Sequence, residues 1–261
     1  MSLLPTNFTN PTNPASAWVR PLVARPQARR RLFCFHPAGA GALLYRDWPA
    51  AIPADVEVLA ILLPGREARL AEPHLTDYGQ AVAQLFAAIR PLLDRPYTFF
   101  GHSMGALLAY GVAMATPRGG ALAPDRLIVS GCPGPGSAPR KPGRAKWSEP
   151  ELIEDLREMG GTPEEVLENP GLLELILPTL RADYAIYESF RRPTGPELEC
   201  PVSILGGEDD SVSVADLERW ADTTRADSSV RLFPGGHFFL TGKSTEAVLA
   251  AVTADLGVGP A

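Results

Sequence analysis

Cysteine, histidine and positive charge are all in short supply in this sequence, and each shortage removes a class of function. The three cysteines, Cys34, Cys132 and Cys200, are odd in number, far apart and set in apolar contexts. That pattern fits neither a disulfide framework nor a zinc site, so they read as reduced core residues, and no metal or organic cofactor is expected. Lys and Arg total 24 against 30 Asp and Glu, a formal net charge of −6. Nucleic-acid binding needs cations clustered over a broad face, so no DNA or RNA partner is expected. No apolar run approaches the roughly 18 residues that a membrane span requires. The opening, MSLLPTNFTNPTNPAS, also lacks the basic start and apolar core of a secretory signal. The expectation is a cytoplasmic protein with no membrane partner.

What is present is an ordinary globular balance, 45% hydrophobic and 21% charged over 261 residues, enough for one domain with a sizeable core. Residues 1–29 carry Pro5, Pro11, Pro14, Pro21 and Pro26 among Asn and Thr, and read as a flexible arm. Residues 30–261 read as the single domain. Six short apolar runs, RLFCFH, VEVLAILLP, YTFFG, RLIVSG, PVSILG and SVRLFP, alternate with longer helical stretches. Continuous apolar runs separated by helices indicate a mostly parallel sheet covered on both faces, an α/β architecture.

Between Pro133 and Pro201 the alternation stops, and residues 138–197 read as a helical insertion. It opens on a Pro, Gly and basic linker holding Arg140, Lys141, Arg144 and Lys146. Its last helix places Leu173, Ile176, Leu177, Leu180, Tyr184 and Tyr187 on one face, with Leu172, Leu175 and Ile186 on others. Such a helix must be covered twice or line a cavity. Leu177, Leu180 and Tyr184 are therefore candidate substrate contacts on the inner face of a lid.

Gly101-His102-Ser103-Met104-Gly105 lies between an apolar strand and an amphipathic helix. A nucleophile elbow needs this context, because the two glycines permit a sharp turn that lifts the Ser103 hydroxyl above the sheet. A neutral serine requires a histidine base oriented by a carboxylate. Of the four histidines, His237 follows the last strand through Gly235-Gly236 and comes late in the chain, as the order Ser, acid, His demands. The acid should end PVSILG, where Glu208, Asp209 and Asp210 are adjacent. Asp209, the first aspartate after the strand, is the expected partner, with Asp210 the competitor. Oxyanion donors are expected from the Met104 amide and, in the loop His36 to Gly41, from the Ala38 amide, since Pro37 has no N–H. The combination reads as a serine hydrolase of the α/β-hydrolase fold.

From about Arg31 to Leu256 the chain also resembles the type II thioesterases, the stand-alone editing enzymes of polyketide and nonribosomal peptide assembly lines. The motifs are FCFHPAGAG, LLPGRE, FGHSMGALLAY, Gly160-Gly161-Thr162-Pro163, LPTLRADY, LGGEDD, Trp220 and PGGHFFL. The resemblance implies a Ser103, Asp209 and His237 triad without a cofactor. It also implies hydrolysis of stalled or aberrant acyl groups from the phosphopantetheine thiol of an acyl or peptidyl carrier protein. Ala40 stands where that family commonly has a second consecutive glycine, and an acidic residue common near Gly111 is missing; the first departure bears on the oxyanion loop. Two other readings use the same residues: a general carboxylesterase or lipase, and a non-catalytic binding protein on a hydrolase scaffold. The basic linker is a candidate docking surface for an acidic carrier protein.

Overall fold

A computed structural model describes residues 15–117, 119–137, 141–194 and 197–257; Arg140 and the first 14 residues of the expected arm lie outside them. In chain order the described elements are helix α1 (Ala15–Trp18), strand β1 (Val19–Pro21), β2 (Arg30–Phe35), β3 (Val56–Ile61), α2 (Tyr78–Ile89), β4 (Tyr97–His102), α3 (Met104–Ala115) and β5 (Arg126–Ser130). There follow α4 (Glu149–Met159), α5 (Glu164–Leu167), α6 (Pro170–Glu188), β6 (Val202–Gly207), α7 (Val214–Glu218), β7 (Ser228–Phe233) and α8 (Thr245–Asp255). The described strands form one seven-stranded sheet in the order β1-β3-β2-β4-β5-β6-β7, parallel except for β1. Each of the six apolar runs supplies one parallel strand.

Strand side chains alternate between two layers of core, as the two-residue period of a strand dictates. Phe33, Phe35, Leu59, Ile61, Phe99, Leu127, Val129 and Ile204 face α2 and α3. Leu32, Cys34, Val58, Ala60, Phe100, Ile128 and Leu205 face α8 and the turns around Tyr45 and Trp48. Cys34, Cys132 and Cys200 are all buried and free.

The arm is shorter than its proline content suggests. β1 pairs antiparallel with the edge of β3, Val19 opposite Ile61 and Pro21 opposite Leu59, and an edge is where a strand tolerates proline. Trp18 and Val19 are buried, and the Arg69 guanidinium lies 4.0 Å from the Trp18 ring centre. Arg25 then donates to the carbonyls of Pro49, Ile52, Pro53 and Val56. Residues 15–29 therefore belong to the domain, tied by contacts far away in sequence.

Among the described residues between β5 and β6 there are helices α4, α5 and α6 but no strand of the sheet. Ser148 and Glu151 form a capping box at the start of α4, and Asn169 caps α6. Leu152, Leu156, Leu167, Leu177, Leu180 and Tyr184 make this insertion a small core of its own. Leu177 and Leu180 are thus packed inside the insertion and do not wall the cavity below it, which corrects the expectation for both. The face chosen by helical periodicity is divided: Leu177 and Leu180 pack with α4, α5 and the loop at Ala38, while Tyr184 and Tyr187 border the cavity.

Candidate active site

The parallel strands deliver their C-terminal ends to one edge of the sheet, where α/β folds carry their chemistry. At the end of β4, Ser103 adopts φ 52° and ψ −121°. Only Ser103 and Glu67 among the described non-glycine residues have positive φ. The turn is held by Ser103 N–H donating to Ser130 O at 2.8 Å. It also depends on close approach: a Cβ on Gly105 would lie 2.1 Å from the Phe35 carbonyl oxygen, and one on Gly101 would lie 2.2 Å from that of Gly105. Met104 opens α3, so its amide is one of the unpaired donors of a helix N-terminus.

His237 Nδ1 lies 2.9 Å from Asp210 Oδ2. The carboxylate at the histidine is therefore that of Asp210, while Asp209, the sequence expectation, is exposed and borders the same cavity. The reason is local. After β6 the chain makes a turn closed by Asp210 N–H to Gly207 O at 3.2 Å, while Asp209 N–H is drawn to Gly235 O at 3.0 Å. The turn takes one residue more than the simple count allowed before the chain points back over the sheet. The Asp210 side chain is 1% exposed, and its Oδ1 accepts from the Val212 amide at 3.2 Å. Burial alone would raise its pKa, but the hydrogen bond and charge of His237, with the Val212 and Ser211 amides, hold it below the usual aspartate value.

His102 is a buried neighbour of this pair. Its Nδ1 meets Ser130 Oγ at 2.9 Å, and its ring centre is 5.1 Å from that of His237. Burial first, then the adjacent His237, pushes its pKa well down, so it backs the site as a neutral ring. His36 is also buried, with Nδ1 2.8 Å from Pro37 O, and burial followed by the Arg66 charge lowers its pKa to about 4. His74 pairs with Thr179 Oγ1 at 2.9 Å. Neither His36 nor His74 lines the cavity that Ser103 and His237 share.

That cavity measures about 890 Å³ and is also bordered by Ala38, Met104 and Asp210. Its apolar wall includes Leu107, Met159, Tyr187, Phe190 and Phe238. Of the three expected lid contacts only Tyr184 reaches it. The amides of the first loop are allotted unequally: Ala40 N–H bonds Pro37 O, Gly39 N–H bonds Asp183 Oδ2, and Ala38 N–H has no partner among the described residues. Among those residues no group of three or more His, Cys, Asp or Glu is arranged to hold a metal ion.

Sequence reasoning missed the charged residues that organise the surroundings. Asp155, buried on α4, takes Lys141 Nζ at 2.9 Å, Arg144 Nη1 at 3.3 Å and the Tyr184 hydroxyl at 2.5 Å. Lys141 and Arg144 are thus anchored on a buried carboxylate, and both border the cavity. Arg66 and Asp183 form a second buried pair. Their only sequence signal was a charge inside the quoted motifs LLPGRE and LPTLRADY.

Residues 30–256 match the thioesterase domain family. The chain belongs to the thioesterase family. This thioesterase is 38% identical over 214 residues to the gramicidin S biosynthesis protein GrsT of Aneurinibacillus migulanus, covering 82% of this chain and 84% of that protein. Among solved structures it resembles the type II thioesterase BorB from the borrelidin biosynthetic cluster, with 34% identity, a TM-score of 0.84 and coverage of 92% and 98% of the two chains. It is likewise similar to the RedJ thioesterase of the prodiginine pathway of Streptomyces coelicolor, with 32% identity, a TM-score of 0.84 and coverage of 90% and 96%. The thioesterase therefore has the α/β-hydrolase fold, and the solved structures it resembles include type II thioesterases of biosynthetic clusters. No helix among the described residues is long and apolar enough to cross a membrane.

Proposed function

We propose that this thioesterase releases stalled or aberrant acyl groups from the phosphopantetheine thiol of acyl or peptidyl carrier proteins, through an acyl-enzyme formed on Ser103. The observation that carries the reading is the Asp210–His237 pair, bordering the same cavity as a serine held at positive φ on an elbow. Ser103 Oγ attacks the thioester carbonyl while His237 Nε2 takes its proton, and Asp210 holds Nδ1–H and stabilises the imidazolium. The oxyanion is met by the Met104 and Ala38 amides. The imidazolium gives that proton to the departing sulfur and the thiol leaves; water then attacks the acyl-enzyme with His237 as base, the proton passes to Ser103 Oγ, and the free acid departs. The apolar wall of the cavity accommodates the acyl chain, with the helical insertion above it acting as the lid.

Intact-mass analysis of a panel of acylated carrier proteins tests this directly. The wild-type protein should return them to the free-thiol form, and Ser103→Ala should not. Carriers that stay acylated would overturn the reading, and faster turnover of oxygen esters than of matched thioesters would make the enzyme a carboxylesterase.

A further inference from the structure

The loop that supplies Ala38, and the turn that follows it, are gripped by four side chains with no part in the proposed chemistry. Asp183 on α6 is fully buried, and its carboxylate meets Arg66 twice, Oδ2 to Nη1 and Oδ1 to Nη2, both at 2.7 Å. The same Oδ2 accepts the Gly39 N–H at 2.8 Å, and Arg66 Nη1 also donates to Ala40 O at 2.9 Å. The next residue, Glu67, accepts the Leu43 N–H at 3.0 Å and does so from a backbone at φ 47°. Leu180, one turn before Asp183, packs so tightly on the loop that a Cβ at Gly39 would lie 3.2 Å from its Cδ1.

Resting on the acyl-enzyme reading above, we propose that Arg66 and Asp183 are positioning residues for the oxyanion hole. Together they fix the Ala38–Gly39 and Ala40–Gly41 peptide planes, so that Ala38 N–H, without a partner among the described residues and one plane before the first of these, stays aimed into the cavity. A purely architectural role explains the pair poorly. Burying two charges costs several kcal/mol before any return, and an apolar pair of similar volume generally holds two elements together as well. Leu180 already supplies apolar contact at this point. An apolar pair could not hold one amide and one carbonyl of the loop in fixed directions. Gly39 also sits at φ +74°, in a region a glycine leaves readily when nothing holds it. The pair further joins the loop to α6, so the helical insertion and the oxyanion donor move as one body.

The test compares Asp183→Asn, Arg66→Lys and the apolar double variant Arg66→Met/Asp183→Leu with the wild type. Measured for each are kcat and KM on a minimal acyl thioester, the affinity of an alkyl trifluoromethyl ketone that forms a tetrahedral adduct with the serine, the affinity of the product acid, and the melting temperature. Loss of one oxyanion donor costs about 10²-fold or more, so partial misalignment in Asp183→Asn should lower kcat by about tenfold or more. KM and product affinity should stay within about twofold, and ketone affinity should fall in step with kcat. The double variant should recover melting temperature without recovering kcat. Wild-type kcat in a stably folded double variant would overturn the proposal, as would equal losses of ketone and product affinity in Asp183→Asn. Should the double variant fail to fold, Asp183→Asn and Arg66→Lys decide through the same comparison of ketone with product. A wild-type enzyme that leaves thioesters intact would instead overturn the functional reading beneath it.

Discussion

Replacing Asp210 with Asn should lower kcat/KM far more than replacing Asp209, because only Asp210 lies at His237 Nδ1. An amide there can favour the wrong imidazole tautomer, a defect that costs about 10⁴-fold in the best-known triad. Paired steady-state assays of the two variants decide it; equal losses would detach the acid from the mechanism. Ser103→Ala should remain folded and lose about 10³-fold or more, read on the same thioester. The serine and the histidine were legible in the sequence because each is marked by what surrounds it, two glycines on an elbow and a Gly-Gly turn after the last strand. The acid was not, since three adjacent carboxylates look alike. The choice between Asp209 and Asp210 is made by a turn closed on the Gly207 carbonyl and by the Gly235 carbonyl, distant in sequence, which accepts the Asp209 N–H.

Within the helical insertion, buried apolar residues serve two purposes that helical spacing cannot separate. Leu177 belongs to the core shared with Leu152 and Leu156. Leu177→Ala should therefore cost about 2–5 kcal/mol of stability, with hydrolysis of short and long acyl chains reduced alike. Met159 borders the cavity, and Met159→Trp should depress long-chain hydrolysis while sparing acetyl and propionyl groups. Chain-length series on both variants, alongside urea denaturation, test the division; a chain-length effect confined to Leu177→Ala would reverse it. What anchors the basic linker was hidden for a related reason. A run of Lys and Arg looks solvated until a buried partner is known, and Asp155 reveals itself only once α4 is packed. Lys141→Glu with Arg144→Glu should accordingly lower the melting temperature before it alters encounter with a carrier protein.

Across the molecule, the sheet was legible because parallel strands buried on both faces leave continuous apolar runs, told from buried helix segments by their shortness and by the longer helical stretches between them. The same burial makes stability depend on acidity. His36 has its pKa lowered from 6.5 to about 4, and that of His102 is also well below 6.5. Both are neutral in the fold, while the unfolded chain takes up protons as pH falls below 6.5. Their contribution is therefore complete above pH 6.5 and drains away as pH falls below it; for His36 the loss runs down to about pH 4 and amounts to about 3 kcal/mol. Urea midpoints at pH 7 and pH 4.5 should differ less in His36→Gln than in the wild type, the remainder being carried by His102. An unchanged difference would mean that His36 does not govern the loss.

The three residues of β1 escaped sequence reading because so short a run has no period to recognise; its partner is chosen by the free flank of β3. That flank is the most hazardous surface the domain owns. β3 is apolar on both sides, with Leu59 and Ile61 in one core and Val58 and Ala60 in the other. Stripped of Val19–Pro21 it would offer a bare row of amides and carbonyls to any extended chain, including another copy of itself. The proline at position 21 then acts as a terminator, ending hydrogen bonding on the outward side where growth would otherwise continue. A stopper three residues long covers this flank, and a chain begun after Leu22 should form polymers that light scattering detects long before catalysis fails.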